Sequence, residues 1–228
     1  MALHPHRIET EPVPEPVEGD RIGIMADTHG DAGLIAAGAE CLRGRGCGRL
    51  FHLGDICDSA HPEGAAACLQ QVAHQRIAPI RGNNEHTLLL DRSPTVAPEI
   101  LAAIEAMPLS RRIASALLVH SLPCTRASGA RCMIEALTAG HIRSFFRHYP
   151  DQVLFRGHGH HPEIVRPRPG AWSREPMAPG RIYRVGPGKP AVITCGALIE
   201  GLVLIWDQRQ RTVTSTGLAG GARGGSKG

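Results

Sequence analysis

Short apolar runs in this chain are followed by clusters of acidic, amide and imidazole side chains, and this order constrains the fold most. Five such clusters occur in the order ADTHG (26–30), LGDICD (53–58), RGNNEH (81–86), LLVHS (117–121) and RGHGHHP (156–162). In open α/β sheets, ligand-binding groups gather in the crevice beyond the carboxyl ends of the strands. The sequence therefore predicts one polar site at a sheet edge, assembled from five separate segments.

The first part of the structured region alternates between strand and helix patterns. Apolar strand runs occupy 21–26, 49–53 and 76–80, and helical spacing of apolar residues predicts helices over Asp31–Arg43 and Pro62–His74. Pro62 suits the first turn of its helix. This βαβαβ order implies right-handed crossovers and a largely parallel first sheet.

The second part of the chain reads differently, with more strands than helices. We expect helices near 97–106, 129–139 and 141–148, an antiparallel pair at 111–115 and 116–120, and a surface hairpin or loop at 168–190. Six more short strands are predicted at 152–156, 163–167, 181–185, 191–195, 202–206 and 212–216. These late strands predict a second, mixed sheet packed on the first.

Length and composition indicate one globular domain of 228 residues, with 42% apolar and 20% charged residues. We expect residues 1–19, rich in Pro and Glu, to be a disordered leader, 20–216 to form the domain and 217–228 to be a flexible tail. The seven cysteines are scattered without a CxxC pair and read as reduced thiols. No segment resembles a signal peptide or a membrane span, so we expect a cytoplasmic protein.

Charge is uneven along the chain. The net charge is +4, yet the first 20 residues hold five acids and one Arg, which leaves the remainder near +8. The basic residues look scattered and are not interleaved with aromatics, so nucleic acid is not expected as a partner. A mild positive field that favours small anionic substrates is the preferred interpretation. The sequence does not indicate an oligomeric state.

The candidate donor atoms are of mixed nitrogen and oxygen type. Two carboxylates, one amide and four imidazoles come from Asp27, His29, Asp55, Asn83, His120, His158 and His160. Such a set suits Mn, Fe or Zn and lacks the thiolates of a structural zinc site. Two ions require a bridging carboxylate, and Asp55 is central in the order. A pair of ions roughly 3.5–4 Å apart supports in-line displacement with a hydroxide nucleophile, which suits phosphate-ester hydrolysis.

Each cluster taken alone has a plainer interpretation. A single Asp-x-His is usually a helix cap, a Gly-Asn pair is a common turn, and a lone His120 would be a satisfied core histidine. GHGHH could be an adventitious metal binder. The metal hypothesis depends on all five clusters occurring together at strand ends.

Together the motifs DTH, GDICD, GNNE, VHS and GHGH resemble those of the calcineurin-like metallophosphoesterase family. The family pattern is D-x-H, GD-x-x-D, GN-x-[D/E], a His after a strand, and GH-x-H. The match spans about residues 21–165, and AVITCGAL (191–198) looks like the family's later glycine turn. The resemblance implies an α/β fold, a four-layer sandwich of two mixed β-sheets flanked by helices. DTHG and the compact length look most like the small bacterial phosphodiesterase branch.

The resemblance also implies ligand roles. The first ion would be held by Asp27, His29, Asp55 and His160. The second would be held by Asp55, Asn83, His120 and His158. Asp58 would be a carboxylate that orients a ligand. Two divalent ions are implied, with Mn expected first and Fe, Zn, Ni or Mg as alternatives.

Two positions depart from the family pattern. Asn84 stands where many members have a His that protonates the leaving group, so Asn84 is expected to position phosphate while His86 or His161 supplies a proton. Ser121 replaces a Gly after His120 and is expected to narrow the site. Arg81, with Arg156 as an alternative, is expected to contact substrate phosphate through its planar donor fork.

These features predict a metal-dependent phosphoesterase that acts on a small phosphoester, a phosphodiester before a phosphomonoester. A catalytically weak metal-binding or scaffold member of the same fold is the alternative. A nuclease is a third hypothesis, disfavoured by the apparent scatter of the basic residues. The helical segment between His120 and His158 either overhangs the site or is purely structural.

Overall fold

A computed structural model of the chain describes residues 8–10, 21–91, 95–123 and 129–218. These residues form two packed sheets with helices on the outer faces. Each sheet mixes parallel and antiparallel strands.

Sheet I has six strands and contains the parallel βαβαβ unit. Its strands are β2 (Arg21–Met25), β3 (Cys47–His52), β4 (Ile77–Pro79), β10 (Ile182–Arg184), β12 (Leu202–Asp207) and β13 (Thr212–Gly217). Their order is β10-β13-β12-β2-β3-β4. The central strands β2 and β3 are covered on both faces, which explains their nearly continuous apolar runs.

Sheet II has seven strands. They are β1 (Ile8–Thr10), β5 (Ser110–Ile113), β6 (Ala116–Val119), β7 (Val153–Arg156), β8 (Glu163–Arg168), β9 (Ala171–Pro176) and β11 (Ala191–Thr194). Their order is β1-β5-β6-β7-β11-β8-β9. Strands β6, β7 and β11 are parallel, while β5–β6 and β8–β9 are hairpins.

Six α-helices lie in the described residues. They are α1 (Ala32–Gly44), α2 (Ala65–His74), α3 (Asn83–Asp91), α4 (Pro98–Glu105), α5 (Arg131–Ile134) and α6 (Ala139–His148). The Asp31 carboxylate caps α1 by accepting from the Leu34 N–H at 3.0 Å. Ile35 and Leu42 of α1 pack on sheet I, and Ile142 and Phe145 of α6 pack on sheet II.

The main core lies between the two sheets. Phe51 of β3, Phe155 of β7 and Trp206 of β12 belong to this cluster, and the Phe155 and Trp206 ring centroids are 5.0 Å apart. Burying side chains of this size contributes on the order of 2–3 kcal/mol each. The layers run helix, sheet, sheet, helix, so the predicted four-layer sandwich is confirmed.

Several element predictions need correction. Ile8–Thr10, expected in a disordered leader, pair in parallel with β5, whose edge offers free backbone groups. The hairpin expected within 168–190 is partly present, since β9 pairs with β8 there, and Pro176 is tolerated because β9 is an edge strand. The helix expected over 129–139 is limited to α5, since Glu135 adopts an extended conformation. The rest of the predicted leader and most of the predicted tail lie outside the described residues.

Helix α3 was not expected, because its first residues were interpreted as a metal-site loop. The cysteine prediction holds for Cys41, Cys47, Cys57, Cys68 and Cys195, which are free. Cys132 is disulfide-bonded, which contradicts the prediction of reduced thiols at that position. No helix in the described part of the chain combines the length and apolar character of a membrane span.

Candidate metal centre

The polar clusters follow the carboxyl ends of strands from both sheets. Asp27 comes two residues after β2, Asp55 three after β3 and Asn83 four after β4. His120 comes directly after β6, and His158 two residues after β7. The sequence predicted one shared site, and the structure brings the donors together. The prediction that all of them follow strands of one sheet is wrong, because His120 and His158 come from sheet II.

Backbone hydrogen bonds join the first two donor loops. The Asp27 N–H donates to the Gly54 carbonyl at 3.0 Å, and the N–H groups of Thr28 and His29 both donate to the Asp55 carbonyl, at 2.8 and 3.0 Å. The Gly157 N–H donates to the His120 carbonyl at 2.8 Å and joins two further donor loops. The donors are thus fixed by main-chain geometry as well as by their own side chains.

Five of the seven predicted donors have a left-handed backbone. Positive φ angles, between 50° and 63°, occur at Asp27, His29, Asp55, His158 and His160. Such angles are uncommon outside glycine and cost of order 1–3 kcal/mol each unless the surroundings enforce them. Strain of this kind concentrates at functional sites, so this loop geometry supports a functional role.

The donors form two groups. The first brings together Asp27, His29 and His160, with 3.2 Å between the Nε2 atoms of the two histidines and 3.9 Å from His160 Nε2 to Asp27 Oδ1. The second brings together Asp55, His120 and His158. Within each group, one possible ligand atom from each residue lies within 4.8 Å of the others.

Asn83 completes the second group. Its Oδ1 atom lies 3.0 Å from His120 Nε2 and 3.1 Å from His158 Nδ1. His120 Nε2 is also 3.5 Å from Asp55 Oδ1. Four of the predicted donors therefore converge on one point, as expected for a single ion.

The tautomer of His120 makes this convergence informative. His120 Nδ1 donates to the Leu53 carbonyl at 2.8 Å, so the neutral ring has a lone pair on Nε2. Burial lowers the pKa of His120 to about 4, which disfavours a proton on Nε2. The Nε2 lone pair then faces the oxygens of Asn83 and Asp55 with no proton between them. A cation placed there would satisfy all three atoms.

The crowding of buried carboxylates also supports a cation site. Asp27 is fully buried, and its pKa is raised well above the ordinary value by burial and then by the nearby Asp55. The His158 N–H donates to both Asp27 oxygens, at 3.1 and 3.0 Å, and opposes that rise. A bound cation would favour the charged form of Asp27. The residues present therefore fit two divalent ions.

Asn84 holds Asp55 in place. Its Nδ2 donates to Asp55 Oδ2 at 2.8 Å, and its backbone N–H donates to Asp55 Oδ1 at 2.9 Å. Its Oδ1 accepts from the Ser59 N–H and hydroxyl, at 2.9 and 2.7 Å. The side chain expected to position phosphate is engaged with Asp55 and Ser59 instead.

Glu85 belongs to the GNNE motif and had no predicted role, yet it connects two of the donor loops. Its buried carboxylate accepts from the N–H groups of Gly82, Asp55 and Cys57, at 2.8, 2.9 and 2.8 Å. Burial, followed by Asp55, raises the pKa of Glu85 to about 7, while the three N–H donors act to lower it. One carboxylate thus joins the second and third donor loops.

A buried pair supports the first loop. The Thr28 hydroxyl and His52 Nε2 are 2.6 Å apart, and both residues are fully buried. Burial, with a smaller effect from His120, lowers the pKa of His52 to about 3. His52 ends β3, so this contact fixes the DTH loop against the neighbouring strand. The contact between His52 and Thr28 was not predicted, because His52 lies within an apolar run in the sequence.

Arg156 is a buried positioning residue rather than a phosphate contact. Its guanidinium donates to the Ser121 carbonyl, the Ser121 hydroxyl and the Thr194 hydroxyl, at 2.7, 3.0 and 3.0 Å. The Ser121 hydroxyl in turn donates to the Glu135 carbonyl at 2.5 Å. The expectation that Arg156 contacts phosphate is corrected, because its guanidinium is bonded to Ser121 and Thr194. The expectation that Ser121 narrows the site is also corrected, because its side chain is fully buried against Arg156 and Glu135.

The remaining predicted residues contact no metal donor directly through their side chains. The Asp58 carboxylate accepts from the Ala60 N–H and lies 3.1 Å from His61 Nδ1. His86 is half-buried on α3, and its pKa is lowered by burial and by Arg81. Arg81 is also half-buried, and its Nε has no hydrogen-bond partner in the described part of the protein. The predicted roles of Asp58, His86 and Arg81 stay predictions.

Residues 21–197 match the family model of the calcineurin-like phosphoesterase superfamily domain. The chain belongs to this family. Comparison with curated proteins found no match.

Solved structures share the fold of this calcineurin-like phosphoesterase. A metallophosphoesterase from Sphaerobacter thermophilus is 19% identical over 89% of each chain, with a TM-score of 0.68. A protein serine/threonine phosphatase from Saccharomyces cerevisiae is 16% identical over 94% of this chain and 84% of its own, with a TM-score of 0.54. At this level of identity the likeness concerns the fold alone.

Gly82 lies where the second and third donor loops touch, so Gly82→Ala is expected to disturb the site. An added Cβ would overlap Asp55 Oδ1 and the Asp55 backbone nitrogen. We expect a loss of about 1–3 kcal/mol in the free energy of unfolding and weaker metal binding. Urea titration and metal titration measure the two effects.

Gly48→Ala is the control, because a Cβ there meets nothing within 4 Å. It should leave metal binding unchanged and stability unchanged or slightly higher. Equal behaviour of the two variants would contradict the packing proposed for Gly82.

His52 predicts a pH dependence of stability in the metal-free protein. Its folded pKa of about 3 lies below its unfolded value of 6.5, so its contribution is present above pH 6.5 and is lost as pH falls from 6.5 toward 3. The loss approaches about 1.4 kcal/mol per pH unit. Urea unfolding at several pH values should show a flatter slope for His52→Gln than for the wild type. Identical slopes would show that His52 is not held neutral in the folded protein.

Proposed function

We propose that this protein is a divalent-metal-dependent phosphoesterase that hydrolyses a phosphodiester, with a phosphomonoester as the alternative substrate. The observation that carries the proposal is the convergence of His120 Nε2, Asn83 Oδ1 and Asp55 Oδ1. The group of Asp27, His29 and His160 supplies donors for a second ion. Family membership supports the same reaction class.

The proposed ligand sets follow the two groups, with Asp55 shared. One ion would be held by Asp27, His29, Asp55 and His160. The other would be held by Asp55, Asn83, His120 and His158. When bound, two such ions supply an activated water nucleophile and offset negative charge on phosphate oxygens. Mn is the first metal to test, because mixed imidazole and carboxylate donors suit it.

The role of the protein is to hold these donors ready. The Leu53 carbonyl fixes the His120 tautomer that leaves Nε2 free for an ion. Carbonyl contacts of this kind orient histidine ligands and strengthen their binding. Burial lowers the pKa of His158, and the neighbouring Ile134 backbone acts in the opposite direction. Asn84 and Glu85 then fix Asp55 from its side chain and its backbone.

The leaving group needs a proton from a residue other than Asn84. The Asn84 amide is bonded to Asp55 and Ser59 and has no proton to give. His86 and His161 are the proposed donors. The proton-donating form of a histidine is the imidazolium, and burial lowers the pKa of His86 and so disfavours that form.

Two exposed apolar side chains favour a diester. The structure exposes four large apolar residues in its described part, and two of them, Ile134 and Ile199, adjoin the site. The Ile134 backbone is near His158 of one donor group, and the Ile199 N–H donates to the Asp27 carbonyl of the other at 3.3 Å. Exposed apolar side chains near the donors would suit the organic groups of a diester.

A metal-binding member without turnover is the second candidate. The engagement of Asn84 favours it, because no proton donor stands at the position next to Asn83. Bound metal with no hydrolysis of any ester would support this candidate over the enzyme.

Replacing the shared ligand tests the enzyme directly. Asp55→Ala should remove metal and lower turnover of bis-p-nitrophenyl phosphate with added Mn²⁺ by more than about 100-fold, since even supporting residues cost 10–100-fold. Elemental analysis and initial rates measure both.

Asp151→Ala is the matched control, because it removes the same carboxylate from an exposed turn before β7. We expect retained metal and less than about a 10-fold loss. Wild-type protein that binds metal and hydrolyses neither bis-p-nitrophenyl phosphate nor p-nitrophenyl phosphate would refute the proposed activity.

Ile134→Ala tests the diester preference. Losing an apolar contact with one ester group should lower kcat/KM for bis-p-nitrophenyl phosphate about 3- to 10-fold more than for p-nitrophenyl phosphate. Ile182→Ala removes a similarly exposed side chain on β10 and should change neither value. An equal effect of Ile134→Ala on both substrates would argue against an ester pocket at Ile134.

A further inference from the structure

A basic groove lies at the edge of the sandwich, outside the metal centre. It is lined by Arg166, Pro167, Arg168, Arg184, Gly188, Lys189 and Pro190 and has a volume of about 420 Å³. One wall comes from β8, an outer strand of sheet II, and the other from the edge strand β10 of sheet I and the loop after it. We propose that this groove binds the phosphate backbone of a single nucleic-acid strand.

Strand periodicity aims two arginines into the groove. Arg166 and Arg168 are two residues apart on β8 and therefore share one face of the hairpin, paired with Ser173 and Ala171 of β9. This is the face of Ile164, which packs in the core between the sheets. The two arginines continue that inward face past the end of the core, where the gap between the sheets opens to solvent.

The opposite wall is held by a tight loop. Gly186 and Lys189 exchange backbone hydrogen bonds, with N–O distances of 3.2 and 2.7 Å. The Arg166 guanidinium reaches across and donates to the Arg184 carbonyl at 3.4 Å. The cations thus come from positions up to 23 residues apart in sequence and face one space.

The charge of the groove is largely uncompensated. Arg166 forms an ion pair with Glu175, at 2.9 Å. Arg168 donates only to the Ser173 hydroxyl, at 3.4 Å, and no ion pair is seen for Arg184 or Lys189 among the described residues. No carboxylate is among the described residues that line the groove. Like charges held together in this way create a field that attracts an anion.

A nucleic-acid strand fits this arrangement better than a single small anion. Three unpaired cations, with Arg forks suited to phosphate, match successive phosphates of a chain. Three successive residues of β8, 166–168, line the groove and span roughly 7–10 Å. This groove could not be predicted from the sequence, because the basic residues are separated along the chain and become neighbours only through the β8–β9 hairpin and β10.

The test measures binding without turnover, so it is independent of the proposed phosphoesterase activity. Full-length protein with a chelator is titrated into fluorescein-labelled (dT)12, and anisotropy is followed from 50 to 200 mM NaCl. We expect wild-type binding that weakens with salt, since each phosphate contact on a single strand contributes about −0.7 to the slope of log K against log salt. Absence of wild-type binding at 50 mM NaCl would overturn the proposal.

Two double variants distinguish binding in the groove from attraction by the overall positive charge of the protein. Arg168→Ala with Lys189→Ala should make the slope less negative by about 1.4 and weaken binding at 50 mM NaCl at least about 10-fold. Arg76→Ala with Arg147→Ala removes the same charge from exposed positions outside the groove and should have little effect. Equal losses in both double variants would overturn the proposal. So would equally tight binding of a labelled oligoglutamate of the same charge.

Discussion

The structure depends on electrostatic repulsion that the fold itself creates among buried donor atoms. His120 is held by the Leu53 carbonyl with its Nε2 lone pair directed at the oxygens of Asn83 and Asp55. A proton on Nε2 would relieve the repulsion between these atoms, but burial lowers the pKa of His120 to about 4 and disfavours that proton. A bound cation would relieve this repulsion. The two sheets, the strained loops and the clamps around Asp55 all serve to keep these atoms in place.

The support for this arrangement is shared among residues that bind no ion. Glu85 joins two loops through three backbone N–H groups, and Asn84 fixes both oxygens of Asp55. Arg156 does the same for the loop after His120 through Ser121. Because each contact restrains a segment that carries a donor, we expect the loss of one contact to loosen the donor beside it. Positioning is therefore shared, and the departures at Asn84 and Ser121 are parts of this network.

Much of the fold could be predicted from periodicity, and the donors from their place after strands. The βαβαβ unit and its motifs lie where the apolar runs indicated, because a strand buried on both faces has little freedom in composition. Contacts between distant segments were not predictable. His52 reads as an apolar-run residue until Thr28 is placed beside it, and Arg156 reads as a phosphate ligand until Ser121 and Thr194 surround it. Helix α3 was not predicted, because its first residue, Asn83, is also a candidate metal donor and was interpreted only in that role.

The same limit explains the basic groove. The sequence shows only which charged residues are neighbours along the chain. The electrostatic field at the surface depends on all residues that strand pairing brings close together. Arg166 and Arg168 share a face because of the two-residue period of β8, and the loop after β10 adds Lys189 from the other sheet. Acidic side chains could have neutralised this region, yet Glu175 pairs with Arg166 alone. An uneven charge with a net value of only +4 is thus compatible with a strongly positive groove, and net charge alone is a poor guide to the partners of this protein.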